Sequence, residues 1–183
     1  WFDEVRGSLT ADLGLAGLLG APRAMVVGRV DGFDVAGTGP GQLTFRLAAD
    51  QHRISVAQLD ASMSANHLTG SGSLDFESQA LRATAQLELS DLPLLASRIP
   101  AEWRASGEIS ARAEIGGVLA NPTVIGSVEG RALALADQRI DAMSGSVNYA
   151  NGRVVLQDVS IQQPDGGRLS AAAEYAISSR GYS

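Results

Sequence analysis

Leu81-Arg82-Ala83-Thr84-Ala85-Gln86-Leu87-Glu88-Leu89 decides the fold, because every odd-numbered side chain is apolar and every even-numbered one between them is polar. A β-strand sends successive side chains to opposite faces, so this segment has one greasy and one wet side. The same rhythm sets Leu9, Ala11, Leu13 and Leu15 against Ser8, Thr10 and Asp12. It sets Ile109, Ala111, Ala113 and Ile115 against Glu108, Ser110, Arg112 and Glu114, and it returns in Leu169, Ala171, Ala173, Tyr175 and Ile177. Shorter strands are expected near Met25 to Val30, Leu43 to Leu47, Arg53 to Leu59, Leu68 to Phe76, Val124 to Val128, Met143 to Tyr149 and Val154 to Ile161.

Turn signals separate them: Asp31-Gly32, Gly39-Pro40-Gly41, Asn66-His67, Asn121-Pro122, Asn151-Gly152 and Pro164-Asp165-Gly166-Gly167. Asn151-Gly152 is the sharpest, since both residues tolerate the positive φ of a type I′ hairpin turn. One stretch departs from the rhythm. Asp91 offers an N-cap, Pro93 falls in a first turn, Leu92, Leu95 and Ile99 repeat at helical spacing and Pro100 stops the run, which predicts one short helix over 92–99.

The 183 residues suffice for one ordinary domain, with Ala, Leu, Val and Ile predominating, only nine aromatic residues and 21 glycines. That composition suits a thin sheet of small side chains. A net charge of -6 without a basic stripe argues against a nucleic-acid partner. There is no cysteine, hence no disulfide and no thiolate metal site. Neither a signal-like start nor a stretch of about 18 apolar residues is present, and the chain opens inside a patterned segment, which reads as an excised piece of a longer protein.

Set against itself at an offset of 100, Gly7, Ala11, Gly17, Leu19 and Pro22 recur as Gly107, Ala111, Gly117, Leu119 and Pro122. With a two-residue slip Gly28-Arg29-Val30-Asp31-Gly32 matches Gly126-Ser127-Val128-Glu129-Gly130, and the offset returns to 100 at Arg53 and Arg153. The expected units are residues 5–104 and an incomplete 105–183. Consecutive β units imply an elongated object rather than a compact sandwich.

The phrase from Gly107 through Gly126, with Ala111, Ile115, Gly117 and Pro122 at its fixed places, resembles the recurrent phrase of the TamB/AsmA-like family, and Met143 to Val159 resembles the segment that succeeds that phrase in the family. The resemblance implies an all-β, elongated and twisted sheet curled into a trough (a β-taco) with an apolar concave face. It further implies a periplasmic segment of an inner-membrane-anchored envelope protein, engaged in phospholipid transport between the membranes or in outer-membrane protein assembly. Phospholipid acyl chains would be the ligand, and a TamA-like outer-membrane barrel protein or outer-membrane protein clients the partners. On this reading Leu9, Leu13, Leu15, Leu81, Leu87, Leu89, Ile109, Ala111, Ile115, Leu169 and Ile177 line the groove.

Signals for chemistry are weak. The only histidines, His52 and His67, lack metal-ligand spacing; Gly37 to Gly41 and Gly70 to Ser73 lack the Lys-Ser/Thr of a phosphate loop; no nucleophile elbow occurs. No catalytic residue, cofactor or metal is expected. Trp1 and Trp103, each a few residues before the glycine that opens a unit, are expected to plug the unit junctions. Three functional readings stand: a lipid conduit, a scaffold receiving client strands by β-addition, and a closed, dry structural spacer.

Overall fold

A computed structural model describes residues 5–18, 20–35, 40–90, 105–135 and 138–176. They form one sheet of eleven antiparallel strands in sequence order: β1 (Val5–Leu18), β2 (Ala21–Val35), β3 (Gly41–Ala49), β4 (Arg53–Met63), β5 (Asn66–Asp75), β6 (Leu81–Leu89), β7 (Ala105–Val118), β8 (Asn121–Leu135), β9 (Gln138–Ala150), β10 (Arg153–Gln162) and β11 (Arg168–Ala176). Each of the segments read as strands from the alternation overlaps one of these. No helix occurs among the described residues. The short helix expected over 92–99 and both tryptophans lie outside them.

The substantial contacts are all between consecutive strands, and none joins β1 to β11, so the sheet is open and has no second layer among the described residues. An open sheet that curls weakly at most is consistent with the all-β trough that the resemblance implied. Among the described residues no large side chain is fully buried, and the accessible area is 12926 Å². A compact monomer of this mass exposes about 8,300 Å². The fold is therefore held by its hydrogen-bond ladders and by side chains leaning on cross-strand neighbours.

Asn151 and Gly152 take φ of 52° and 73°, the backbone of a type I′ turn. Three other turn signals mark something else. Asp31-Gly32 is a bulge inside β2, which runs on to Val35; the turn after β4 is Ser64-Ala65, with Asn66 and His67 already in β5; and Val118 pairs with Asn121, leaving Leu119-Ala120 as the turn before β8. Glycine, Asn and Asp serve bulges and strand ends by the same positive φ or side-chain hydrogen bonding that serves turns. The carboxylates of Asp50 and Asp75 cap two of the real turns. Asp50 Oδ1 accepts the amides of His52 and Arg53, both at 2.9 Å, and Asp75 Oδ1 accepts the Ser78 amide at 2.9 Å and its hydroxyl at 2.6 Å. Those donors hold each carboxyl below its ordinary value.

The 100-residue offset recurs in the backbone. Strands β1 and β2 become β7 and β8 with every boundary shifted by 100, and β4 and β10 start at Arg53 and Arg153. Gly17 and Gly117 share positive φ, 99° and 88°, as do Gly32 and Ala132, 64° and 48°. Both units bulge at the same place, Ala57-Gln58 in β4 and Gln157-Asp158 in β10. The two-residue slip used for Gly28 to Gly32 is not kept. Leu9 pairs with Val30 and Ile109 with Gly130, so Gly130 occupies the place of Val30 and Val128 that of Gly28. The glycine moves because its large neighbour moves: a Cβ on Gly28 would lie 2.3 Å from the Phe45 ring, and one on Gly130 would lie 2.7 Å from Met143.

Ala132 adopts a left-handed backbone where its counterpart is glycine. An L side chain costs about 1–2 kcal/mol there. Ala132→Gly is therefore expected to raise stability by about 0.5–1 kcal/mol, after allowing for the extra freedom of glycine in the unfolded chain. Chemical denaturation would measure it, and a loss of stability would mean that the bulge gains more from the methyl group than from the relaxed backbone.

Candidate functional site: an apolar sheet face

Following cross-strand partners shows which side chains share a face, since directly paired residues point the same way. From Leu9 the row runs through Val30, Leu43, Ala61, Leu68 and Leu87 to Ala111 and Val128. The next row runs from Ala11 through Gly28, Phe45, Leu59, Gly70 and Ala85 to Ala113, Gly126, Val147, Leu156 and Ala173. The third runs from Leu13 through Val26, Leu47, Val56, Gly72 and Ala83 to Ile115, Val124, Tyr149, Val154 and Tyr175. None of these positions is charged. Outside them Leu15 leads through Ala24, Ala49, Ile54 and Leu74 to Leu81, while Leu89 leads through Ile109, Gly130, Met143 and Ile161 to Leu169.

Ten of the eleven residues expected to line a groove thus lie on one face: Leu9, Leu13, Leu15, Leu81, Leu87, Leu89, Ile109, Ala111, Ile115 and Leu169. Ile177 lies outside the described residues. Those in β6 and β7 are half-buried by neighbours on both sides, whereas Leu9, Leu13 and Leu15 on the β1 edge are 63%, 64% and 76% exposed and Leu169 on β11 is 59% exposed. At about 4.8 Å between strands and about 6.7 Å between same-face residues, the apolar rows cover on the order of 1,000 Å². The largest apolar patch of an ordinary monomer is about 300–600 Å².

Sequence reading missed residues of this face where alternation is broken. Val26, Phe45, Leu59, Val147 and Leu156 share its middle rows, as do Gly28, Gly70 and Gly126. The bulges at 57–58 and 157–158 restore the inward phase after a pair of outward residues, which a strict period of two cannot anticipate.

The opposite face carries the polar partners. Thr84 pairs with Glu114, Gln86 with Arg112 and Glu88 with Ser110. Here also lie the ion pair of Arg29 with Asp31 at 2.7 Å, the hydrogen bond between His67 Nε2 and Asp60 Oδ2 at 3.1 Å, and the hydroxyl contact of Ser71 and Thr84 at 3.0 Å. All are solvent-exposed and each contributes a few tenths of a kcal/mol. Shallow depressions open on this face, one bounded by Gln58, Asp60, Thr69, Ser71, Arg112 and Glu114. They are the spaces left where short Ser and Thr alternate with long Gln and Arg. Met25 and Ile125, 100 residues apart, are exceptions that place exposed apolar side chains on the polar side.

Among the described residues no group of three or more His, Cys, Asp or Glu could hold a metal ion. His67 has Asp60 as its neighbour on the polar face, and no buried side-chain polar atom there lacks a hydrogen-bond partner. The feature that stands out chemically is the apolar face, whose capacity is to bury methylene groups without directional contacts. Comparison with protein-family models, with curated proteins and with solved structures finds no match to this chain.

Proposed function

We propose that this chain is a non-catalytic segment of an inner-membrane-anchored protein of the bacterial periplasm, and that its apolar face carries phospholipid acyl chains between the inner and outer membranes. The observation that carries the reading is the run of uncharged rows from β1 to β11, over which no other element is laid among the described residues. Each methylene transferred from water to such a surface gains about 0.8 kcal/mol. A face made mainly of Leu, Val, Ile, Ala and Gly, with Phe45, Met143, Tyr149 and Tyr175 among them and no charged residue, imposes no fixed stopping point, as a path requires. The likeness of Gly107 to Gly126 to the TamB/AsmA-like phrase supports the same reading. It also suggests outer-membrane protein clients and a TamA-like barrel as further partners.

Photocrosslinking in cells tests the proposal. A photoreactive residue at Leu87 or Ala111 is expected to capture phospholipid, while the same residue at Thr84 or Ser110, on the other face, is expected to capture little. Equal capture from both faces removes the conduit, and capture of polypeptide alone from the strand edges favours the scaffold.

A further inference from the structure

The connections that turn the chain back at one margin of the sheet are tied to one another. Because the strands run antiparallel in sequence order, β1–β2, β3–β4, β5–β6, β7–β8 and β9–β10 all turn at the same margin. Among the described residues, four hydrogen bonds join these five connections in succession. Gln51 Nε2 donates to the Gly20 carbonyl at 2.7 Å, the Phe76 amide to the His52 carbonyl at 2.7 Å, the Leu119 amide to the Gln79 carbonyl at 2.9 Å, and Asn121 Nδ2 to Asn151 Oδ1 at 2.8 Å. At about 4.8 Å per strand they follow the margin for about 38 Å.

Each inner connection holds one bond on either side. The one after β3 sends the Gln51 side chain back to Gly20 and offers the His52 carbonyl forward, while the Asp50 carboxylate fixes its shape by accepting the His52 and Arg53 amides. The one after β5 sends the Phe76 amide back and the Gln79 carbonyl forward; Asp75 braces it through Ser78, and Gln79 keeps a left-handed φ of 55°. The one after β7 sends the Leu119 amide back and, at its end, the Asn121 side chain forward. A bond lost on one side leaves that turn freer to move and loosens its hold on the other side. The ties also recur with the repeat. Gln51 and Asn151 are counterparts at the 100-residue offset, and each is tied at the same joint, beyond the ends of β2 and β3 in one unit and at the ends of β8 and β9 in the other. Gln51 donates to a backbone carbonyl, whereas Asn151 accepts from a side chain. The tie keeps its place while the groups that make it change.

We infer that these five connections form one cooperative spine, which opens as a unit and passes a disturbance from the first repeat to the second. Gln51 and Asn121 are positioning residues within it. The inference does not depend on what the apolar face carries.

Residue-resolved deuterium exchange on the whole chain tests it. The Phe76 and Leu119 side chains are exposed, so slow exchange of their amides reports the ties rather than burial. Gln51→Ala is expected to speed exchange by about fivefold at Phe76 and also at Leu119, two connections away, as the loss of one hydrogen bond of ordinary strength would. Asn121→Ala is expected to do the same from the other end. Both side chains are exposed, so neither substitution empties a packed site. Strand-centre amides such as that of Leu87 should keep their rates in both variants, which separates opening of the spine from a general loss of stability. Gln58→Ala, at an exposed glutamine in the β4 bulge, is the control and should alter neither turn amide. Acceleration that fails to reach Leu119 in Gln51→Ala or Phe76 in Asn121→Ala, or that Leu87 shares equally, would overturn the inference. Fast exchange of the Phe76 and Leu119 amides in the unaltered chain would do so as well.

Discussion

Leu87→Arg is expected to cut phospholipid crosslinking to the apolar face by about a hundredfold while moving the melting temperature by only a few degrees. Leu87 lies between Leu68 and Ala111 in the first apolar row and is half-buried. With the face empty, a guanidinium on a flexible stem reaches water by leaning along the sheet, so the fold tolerates it. With acyl chains laid over the row, the charge loses that water. An unpaired, desolvated ion costs several kcal/mol, and about 2.8 kcal/mol already corresponds to a hundredfold. Thr84→Arg gives the contrast. It falls three residues away on the polar face, opposite Glu114, where an added cation gains a carboxylate neighbour and forfeits only the Ser71 hydroxyl contact. Crosslinking yield and complementation by the full-length protein are the measurements. Full complementation by Leu87→Arg, or equal damage from both variants, would remove the lipid path.

Gly107→Val should produce the largest loss of stability in the sheet, about 3 kcal/mol or more and a fall in Tm of roughly 10 °C. Gly107 has a φ of 116° and stands at the irregularity between β7 and β8. A Cβ there would come within 2.6 Å of the Ala132 carbonyl oxygen, 2.8 Å of that of Arg131 and 2.8 Å of Leu133 Cα, all backbone atoms that cannot step aside without breaking the ladder. Strained conformation and steric overlap act together. Gly116→Ala is the control. Its added methyl would meet only the Thr123 hydroxyl, at 3.4 Å, and the change should stay within about 0.5 kcal/mol. Similar melting curves for the two variants would show that the bulge yields easily and does not set the β7–β8 register.

These two experiments probe what was legible in the sequence and what was not. Strict alternation in 81–89 and 109–115 gave both the strand type and the face, because a period of two has only one structural meaning. The Asn151-Gly152 turn was legible for a similar reason: two adjacent residues that tolerate positive φ leave few backbones to choose from. Asp31-Gly32 failed as a turn because one glycine at positive φ serves a bulge equally well, and only the partner strand distinguishes them. The slip between Gly28 and Gly126 failed because glycine follows the bulk of its cross-strand neighbour, Phe45 in one unit and Met143 in the other, and that pairing is not local. Alternation could not report how far the sheet curls. Curl accumulates from twist and bulges over many strands rather than from any one segment.

One further consequence lies in the register. The row that leaves Ala11 arrives at Ala113, although the counterpart of Ala11 one unit later is Ala111. Each six-strand unit is displaced along its strands by two residues, about 6.7 Å for about 29 Å of advance. Same-face rows therefore cross the molecule obliquely, like the thread of a screw. A strand of 9 to 15 residues presents only four to eight side chains to one face. A thread followed through several such units must run out at one margin while a new one begins at the other. On the proposed reading, a guest that keeps to a row would be delivered sideways to the rim, taken on or shed along the flank without passing through either end.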